Sequence, residues 1–163
     1  MNAIAVAGRA TVAARIDMAA VLLAGAAATV AFDLFGQALS PLAGFARLAP
    51  VGLADGAIAA VFGGKVAGGG HLLHYLTGLL AYPLGWLLVV RPIARAMAPA
   101  APEAAVAALY GVGLWFFAIG IVAPMVVGLP FLLGFSGITW TALAGHVVFA
   151  VAFKQVYGRI AAD

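Results

Sequence analysis

Four long apolar runs, separated by prolines and glycines, dominate the polarity pattern of the chain. They cover roughly residues 18–39, 70–90, 104–127 and 137–157. A helix that crosses a bilayer needs about 20 apolar residues, so each run is long enough to span a membrane. The pattern therefore predicts an all-α, polytopic four-helix membrane bundle, with residues 1–163 forming a single transmembrane domain.

The stretch between the first and second runs is also apolar, but it is interrupted by Pro41, Pro50 and many glycines. Its pieces are too short to cross a bilayer. We expect this outer segment to lie partly in the membrane interface as one or two short helices, and residues 68–70 to form a flexible entry to the second span. Pro83 and Pro124, inside the second and third runs, are expected to free backbone carbonyls and kink those helices.

Composition supports a membrane protein and narrows the function classes. The chain is 66% apolar and 8% charged, with a mean hydropathy of +1.18, whereas soluble domains are about half apolar and about a quarter charged. It has no cysteine, which excludes disulfides, iron–sulfur clusters and thiol catalysis. Ser40 and Ser136 lie in no nucleophile motif, so no catalytic residue is assigned and nothing favours an enzyme.

Basic residues predict the orientation of the bundle. The net charge of +3 comes from scattered side chains, so nucleic acid is not an expected partner. Six basic residues fall on the side of the termini and two on the other side, namely Arg9, Arg15, Arg91, Arg95, Lys154 and Arg159 against Arg47 and Lys65. Because cytoplasmic loops are enriched in Lys and Arg, we expect both termini to be cytoplasmic, in a multi-pass protein of the bacterial inner membrane.

Arg91 and Arg95 are spaced one helical turn apart where the second run ends. Such a pair can bind an anionic lipid headgroup or a partner protein. The plainer interpretation is an anchor that follows the positive-inside rule.

Asp33, His71, His74 and His146 are the polar residues that stand out inside the runs, and the orientation places all four in the outer half of the bundle. Small and polar residues recur at helical spacing in each run, and such residues favour helix–helix contacts in membranes. An ionisable group there costs roughly 2.5 kcal/mol or more and needs a partner. The stripes are Gly25, Thr29, Asp33 and Gln37; His71, His74, Gly78, Ala81 and Gly85; Gly113, Phe117, Gly120 and Pro124; and Ala142, His146 and Ala150.

Several interpretations of these four residues remain open. In a structural role, His74 or His146 donates to Asp33 and His71 sits among headgroups. A b-type haem would use His146 as one axial ligand, with His74 or His71 opposite. A transition-metal site would use Asp33, His74 and His146, since imidazoles with a carboxylate suit zinc, copper or iron. An Asp–His pair would also serve a proton or solute pathway.

The segments TVAFDLFG, HYLTGLLAY, GIVAPMVVGLP and AGHVVFAVAF resemble a group of small bacterial four-helix integral membrane proteins of unknown function. The recognisable pattern of that group maps onto Asp33, His74 with Tyr75, and His146, while His71 lies outside it. The resemblance implies the four-helix fold and favours a site at these positions, but it implies no activity.

Two function classes follow from these observations. The first is a small subunit or accessory protein of a larger membrane complex, such as an energy-transducing one, with the bilayer and other membrane subunits as partners. The second is a haem- or metal-binding redox protein, and a proton or solute transporter is a further alternative.

Overall fold

The computed structural model describes residues 16–161, in which the secondary structure is helical and contains no strand. Four of its helices are long and apolar enough to cross a membrane, which confirms the predicted fold class. These helices are α1 (Met18–Leu42), α3 (Gly69–Met97), α4 (Glu103–Val127) and α5 (Gly137–Ile160), and the shorter α2 (Pro50–Phe62) follows α1. Arg9 and Arg15 lie outside the described residues, and the orientation of the termini stays a prediction.

Prolines do not end the long helices but are accompanied by π-helical turns within them. The second run was expected to end at Arg91, yet α3 continues through Pro92 to Met97. A proline removes one backbone N–H and clashes with the carbonyl four residues back, and a π-helical turn relieves both problems by bonding five residues back. Such turns end two residues before Pro41, Pro83 and Pro92, where Ser40 donates to Phe35, Tyr82 to Thr77 and Arg91 to Trp86. A longer π-helical stretch, Phe116–Val127, contains Pro124.

Helix α5 packs against both α1 and α4, and α3 packs against α1. Glycines allow two of these crossings. A Cβ atom on Gly25 would lie 2.8 Å from the carbonyl oxygen of Leu79 in α3, and one on Gly111 would lie 2.6 Å from the carbonyl oxygen of His146 in α5. Backbones that approach this closely are typical of helix contacts in membranes, where small residues replace bulky ones.

Helix α2 lies against the first turns of α3 and the last turns of α4, as a single short helix in the segment expected to hold one or two. It ends at Gly63, whose φ of 73° provides a left-handed stop. The Asp55 carboxylate in α2 accepts a 2.8 Å hydrogen bond from the amide of Gly70. Gly69 and Gly70 are buried in the first turn of α3. These two glycines therefore serve close packing against α2, which differs from the expected flexible entry.

A left-handed turn joins α4 to α5. Leu132, Leu133 and Phe135 have φ values of 47°, 52° and 53°, a conformation that L-residues disfavour by about 1–2 kcal/mol each. The buried Thr139 hydroxyl donates to the carbonyl of Leu132 at 2.6 Å, and Trp115 donates to the carbonyl of Thr139 at 3.0 Å. These bonds and the burial of Leu132 hold the turn in place. The turn and helix α2 lie at the same end of the bundle, which we call the α2 end.

Candidate functional site

Asp33 in α1 and His74 in α3 are directly paired. His74 Nε2 lies 3.1 Å and 3.2 Å from the two carboxylate oxygens of Asp33, and the Gln37 side-chain amide donates to the same carboxylate at 2.9 Å. The side chains of His74 and Asp33 are only 13% and 23% exposed. A carboxylate accepts, so Nε2 carries the hydrogen and His74 is the donor. This is the helix-tying arrangement that the structural interpretation of the sequence predicts.

A cavity of about 610 Å³ lies beside this pair, at the α2 end of the bundle. Its walls come from all five helices and are mostly apolar. Binding sites for small molecules are typically apolar cavities of roughly 300–1,000 Å³ with a few placed polar groups, and this cavity has both properties. The polar side chains in its wall are Thr29, His74, Thr77, Tyr82 and His146.

His146 presents one ring nitrogen to this cavity. Its Nδ1 lies 2.8 Å from the carbonyl of Ala142, which accepts, so Nδ1 carries a hydrogen. The imidazole is only 7% exposed, and Phe32 packs edge-on against it at 5.1 Å. Among residues 16–161, Nε2 has no hydrogen-bond partner, yet no fully buried side-chain nitrogen or oxygen there is left unpaired. Nε2 is therefore accessible, and the surface available to it is the cavity that His146 lines.

His71 is placed apart from the other two histidines. It is exposed in the first turn of α3 and stacks on Tyr75 at 6.2 Å. The Tyr75 ring in turn lies 5.3 Å from that of His74. Since His71 is not part of the cavity wall, the structure brings Asp33 to His74 and His146 to the cavity, but leaves His71 at the surface.

The predicted metal and haem sites would both use Asp33 or the histidines described above. Within the described chain, no group of three His, Cys, Asp or Glu side chains is close enough to hold a metal ion. Iron coordinated through Nε2 of His74 would have to displace Asp33 from that nitrogen. Asp33, His74 and His146 do not form such a three-ligand group in the described chain, and the metal and haem sites stay predictions.

Arg91 and Arg95 lie at the opposite end of the bundle and share one acceptor. Arg91 Nε and Arg95 Nη2 lie 3.1 Å and 2.9 Å from the same Oε1 atom of Glu103, in the first turn of α4. Together with Trp86 they line a small cavity of about 140 Å³. Two guanidiniums against one carboxylate leave a net positive charge at this end of the bundle. A contact of this pair with a lipid headgroup or a partner protein stays a prediction.

Sequence reasoning missed Tyr82 and Thr77, both of which line the cavity. A signal for Tyr82 was present, since His74, Gly78 and Tyr82 follow one another at four-residue spacing on one helical face. Thr77 follows His74 by three residues, so the same helical face pointed to it as well.

No protein-family model, curated protein or solved structure matches this chain. The fold and the geometry of the site therefore carry the functional argument, and the resemblance to small bacterial four-helix membrane proteins stays a prediction.

Proposed function

We propose that this membrane protein binds a small, predominantly apolar molecule taken up from the bilayer, in the cavity at the α2 end. The observation that carries the proposal is the cavity of about 610 Å³, with apolar walls and a few converging polar side chains. The cavity is partly open to the protein surface, so an apolar molecule from the bilayer can reach its walls.

The arrangement of α2 supports uptake from the side. Helices α3 and α4 contact each other near the opposite end of the bundle, around residues 86–90. At the α2 end, α2 lies against both of them instead. Residues 50, 53, 54 and 57 of α2 form part of the cavity wall. A cavity bounded on this side by one short helix, and partly open to the surface, suits entry of a ligand from the surrounding lipid.

The accessory-subunit role, the inner-membrane location and the cytoplasmic termini belong to the same proposal. Large apolar side chains cover much of the outer surface, Leu109 and Met125 among them, at 72% and 79% exposure. Such a surface suits both lipid and neighbouring membrane subunits. A small protein that holds an apolar molecule for a larger complex would use both features.

The proposal is tested by filling the cavity. Ala54 lines the cavity, and Ala60 is an exposed residue of the same helix outside the cavity wall. Native mass spectrometry of the gently purified protein should show a bound small molecule in the parent and in Ala60→Phe, and loss of it in Ala54→Phe. A cavity that binds nothing would show no bound small molecule in any of the three proteins.

The same sample tests the haem alternative. Oxidised and dithionite-reduced visible spectra, with elemental analysis, would reveal a b-type haem as a sharp reduced band with stoichiometric iron. His146→Ala would then abolish the Soret band while the protein stays in the membrane. We expect a colourless protein, because Asp33 occupies Nε2 of His74.

A further inference from the structure

We infer that the molecule bound in this cavity carries a hydroxyl head group, and that the hydroxyl donates a hydrogen bond to Nε2 of His146. The inference rests on the proposed function and specifies the chemical class of the ligand. It excludes ethers, esters and plain hydrocarbons as the preferred occupants.

The hydrogen-bond partners of His146 determine which of its ring nitrogens carries a hydrogen. Because Nδ1 donates to the Ala142 carbonyl at 2.8 Å, Nε2 is either a bare acceptor in the neutral ring or a second donor in a cation. A buried imidazolium needs a paired carboxylate. Among the described residues no Asp or Glu forms an ion pair with His146, and the neighbouring carboxylate, Asp33, is engaged by His74 and Gln37. The ring is therefore neutral, and Nε2 is a fixed acceptor.

His146 gives the cavity its preference for a donor, and Thr29, whose hydroxyl already donates to the Gly25 carbonyl at 2.8 Å, likewise has only acceptor capacity left. The hydroxyls of Tyr82 and Thr77 each donate and accept, so they tolerate a ligand oxygen of either kind. The Tyr82 ring lies 6.4 Å from the His146 ring, so both side chains line the same part of the cavity. An acceptor fixed by its own backbone bond requires a donor, and a ligand without one would leave Nε2 unpaired.

Few charged groups lie near the head-group position of the cavity. Asp33 and His74 form a pair at the edge of the cavity. His71 and Tyr75 are exposed on α3, beyond the pair. Among residues 16–161, no Lys, Arg, Asp or Glu belongs to the cavity wall. A neutral hydroxyl head therefore fits better than a charged phosphate or carboxylate head, which would enter an apolar space without a counter-ion.

The test uses para-nonylphenol and its methyl ether, which match in tail and ring and differ in the donor. Binding is measured by competition in nanodiscs that contain the protein, with empty nanodiscs correcting for partition. The phenol should bind the parent protein roughly three- to tenfold more tightly than the ether, the worth of one hydrogen bond. His146→Leu should abolish this preference, because it removes both the acceptor for the phenol and the nitrogen that the ether leaves unpaired.

Each outcome has its own meaning. Equal binding of phenol and ether to the parent protein overturns the hydroxyl assignment and leaves the binding function standing. Ala54→Phe should lose both ligands and Ala60→Phe neither, so absence of binding to the parent overturns the proposed function as well. The ratio in the parent decides the hydroxyl preference even where His146→Leu fails to fold.

Discussion

The carboxylate of Asp33 and the imidazole of His74, 41 residues apart in the chain, meet at 3.1 Å between α1 and α3. Their contact joins the same two helices as the close approach of Gly25 to Leu79. Polar bonds between membrane helices average only about 0.6 kcal/mol, with the strongest near 1.7 kcal/mol. The pair therefore specifies how α1 sits on α3 more than it stabilises the bundle.

Asp33→Asn should lower the free energy of unfolding in detergent, because His74 loses a charged acceptor. In a double-mutant cycle with His74→Phe we expect a coupling energy of about 1 kcal/mol. Gln37→Ala, which removes a bond to the same carboxylate, is the milder control. A coupling energy near zero would show that Asp33 and His74 do not stabilise each other.

Gly25→Ala should destabilise the bundle by about 1–3 kcal/mol, the usual cost of overpacking, because the new methyl meets the backbone of Leu79. Gly113→Ala is the matched control in α4, where an added Cβ has open space around it. We expect the control to lie within about 0.5 kcal/mol of the parent, as surface substitutions usually do. Thermal unfolding of both variants in the same detergent measures the difference. If both variants lost the same amount of stability, Gly25 would not lie at a close contact between α1 and α3.

Asp55→Ala should loosen α2 from α3 without unfolding the bundle, since it removes the acceptor for the Gly70 amide. Loss of a helix-capping carboxylate costs about 0.5–2 kcal/mol, and the cost should stay local. Hydrogen exchange followed by mass spectrometry should show faster exchange in residues 69–72 and little change in α5. Asp17→Ala, which removes the cap of α1 through the amides of Ala19 and Ala20, should affect only the start of α1. Uniform acceleration in Asp55→Ala would mean that α2 holds the whole bundle together.

Sequence periodicity predicts some of these contact faces well and fails where the helix period changes. Ala142, His146 and Ala150 lie on one face of the regular α5, and all three are buried as expected. In α4 the expected stripe begins at Gly113, yet Gly113 is exposed and Gly111 makes the contact with α5. From Phe116 onward α4 is π-helical, so a constant spacing of 3.6 residues no longer predicts which side faces the bundle.

The cavity itself was beyond sequence reasoning for a different reason. Its walls combine residues from all five helices, and its size depends on where α2 lies between α3 and α4. Helical spacing describes one helix at a time. It placed Asp33, His74 and His146 correctly inside the bundle, but it did not separate the paired His74 from His146, whose Nε2 is open to the cavity.

The topology prediction is tested with reporters. Fusion of a phosphatase that is active only in the periplasm should give no activity at the C-terminus and high activity in the loop between α2 and α3, near Lys65. The physical reason is the excess of Lys and Arg beside the termini. Activity at the C-terminus would reverse the orientation and place the cavity in the cytoplasmic half of the membrane.

Glu103→Gln should change stability little and lipid binding more. Arg91 and Arg95 both bond the Glu103 carboxylate, and the Arg95 side chain is 61% exposed, so solvent screens much of the interaction. Exposed ion pairs contribute about 0–1 kcal/mol, so the substitution should lower the free energy of unfolding by an amount within that range. Removing the carboxylate leaves two cations without their acceptor, so binding of the purified protein to vesicles that contain phosphatidylglycerol should increase at low salt. The gain should disappear at high salt and in the double variant Arg91→Gln with Arg95→Gln. Unchanged binding in Glu103→Gln would mean that the arginine pair does not contact lipid headgroups and would leave a partner protein as its ligand.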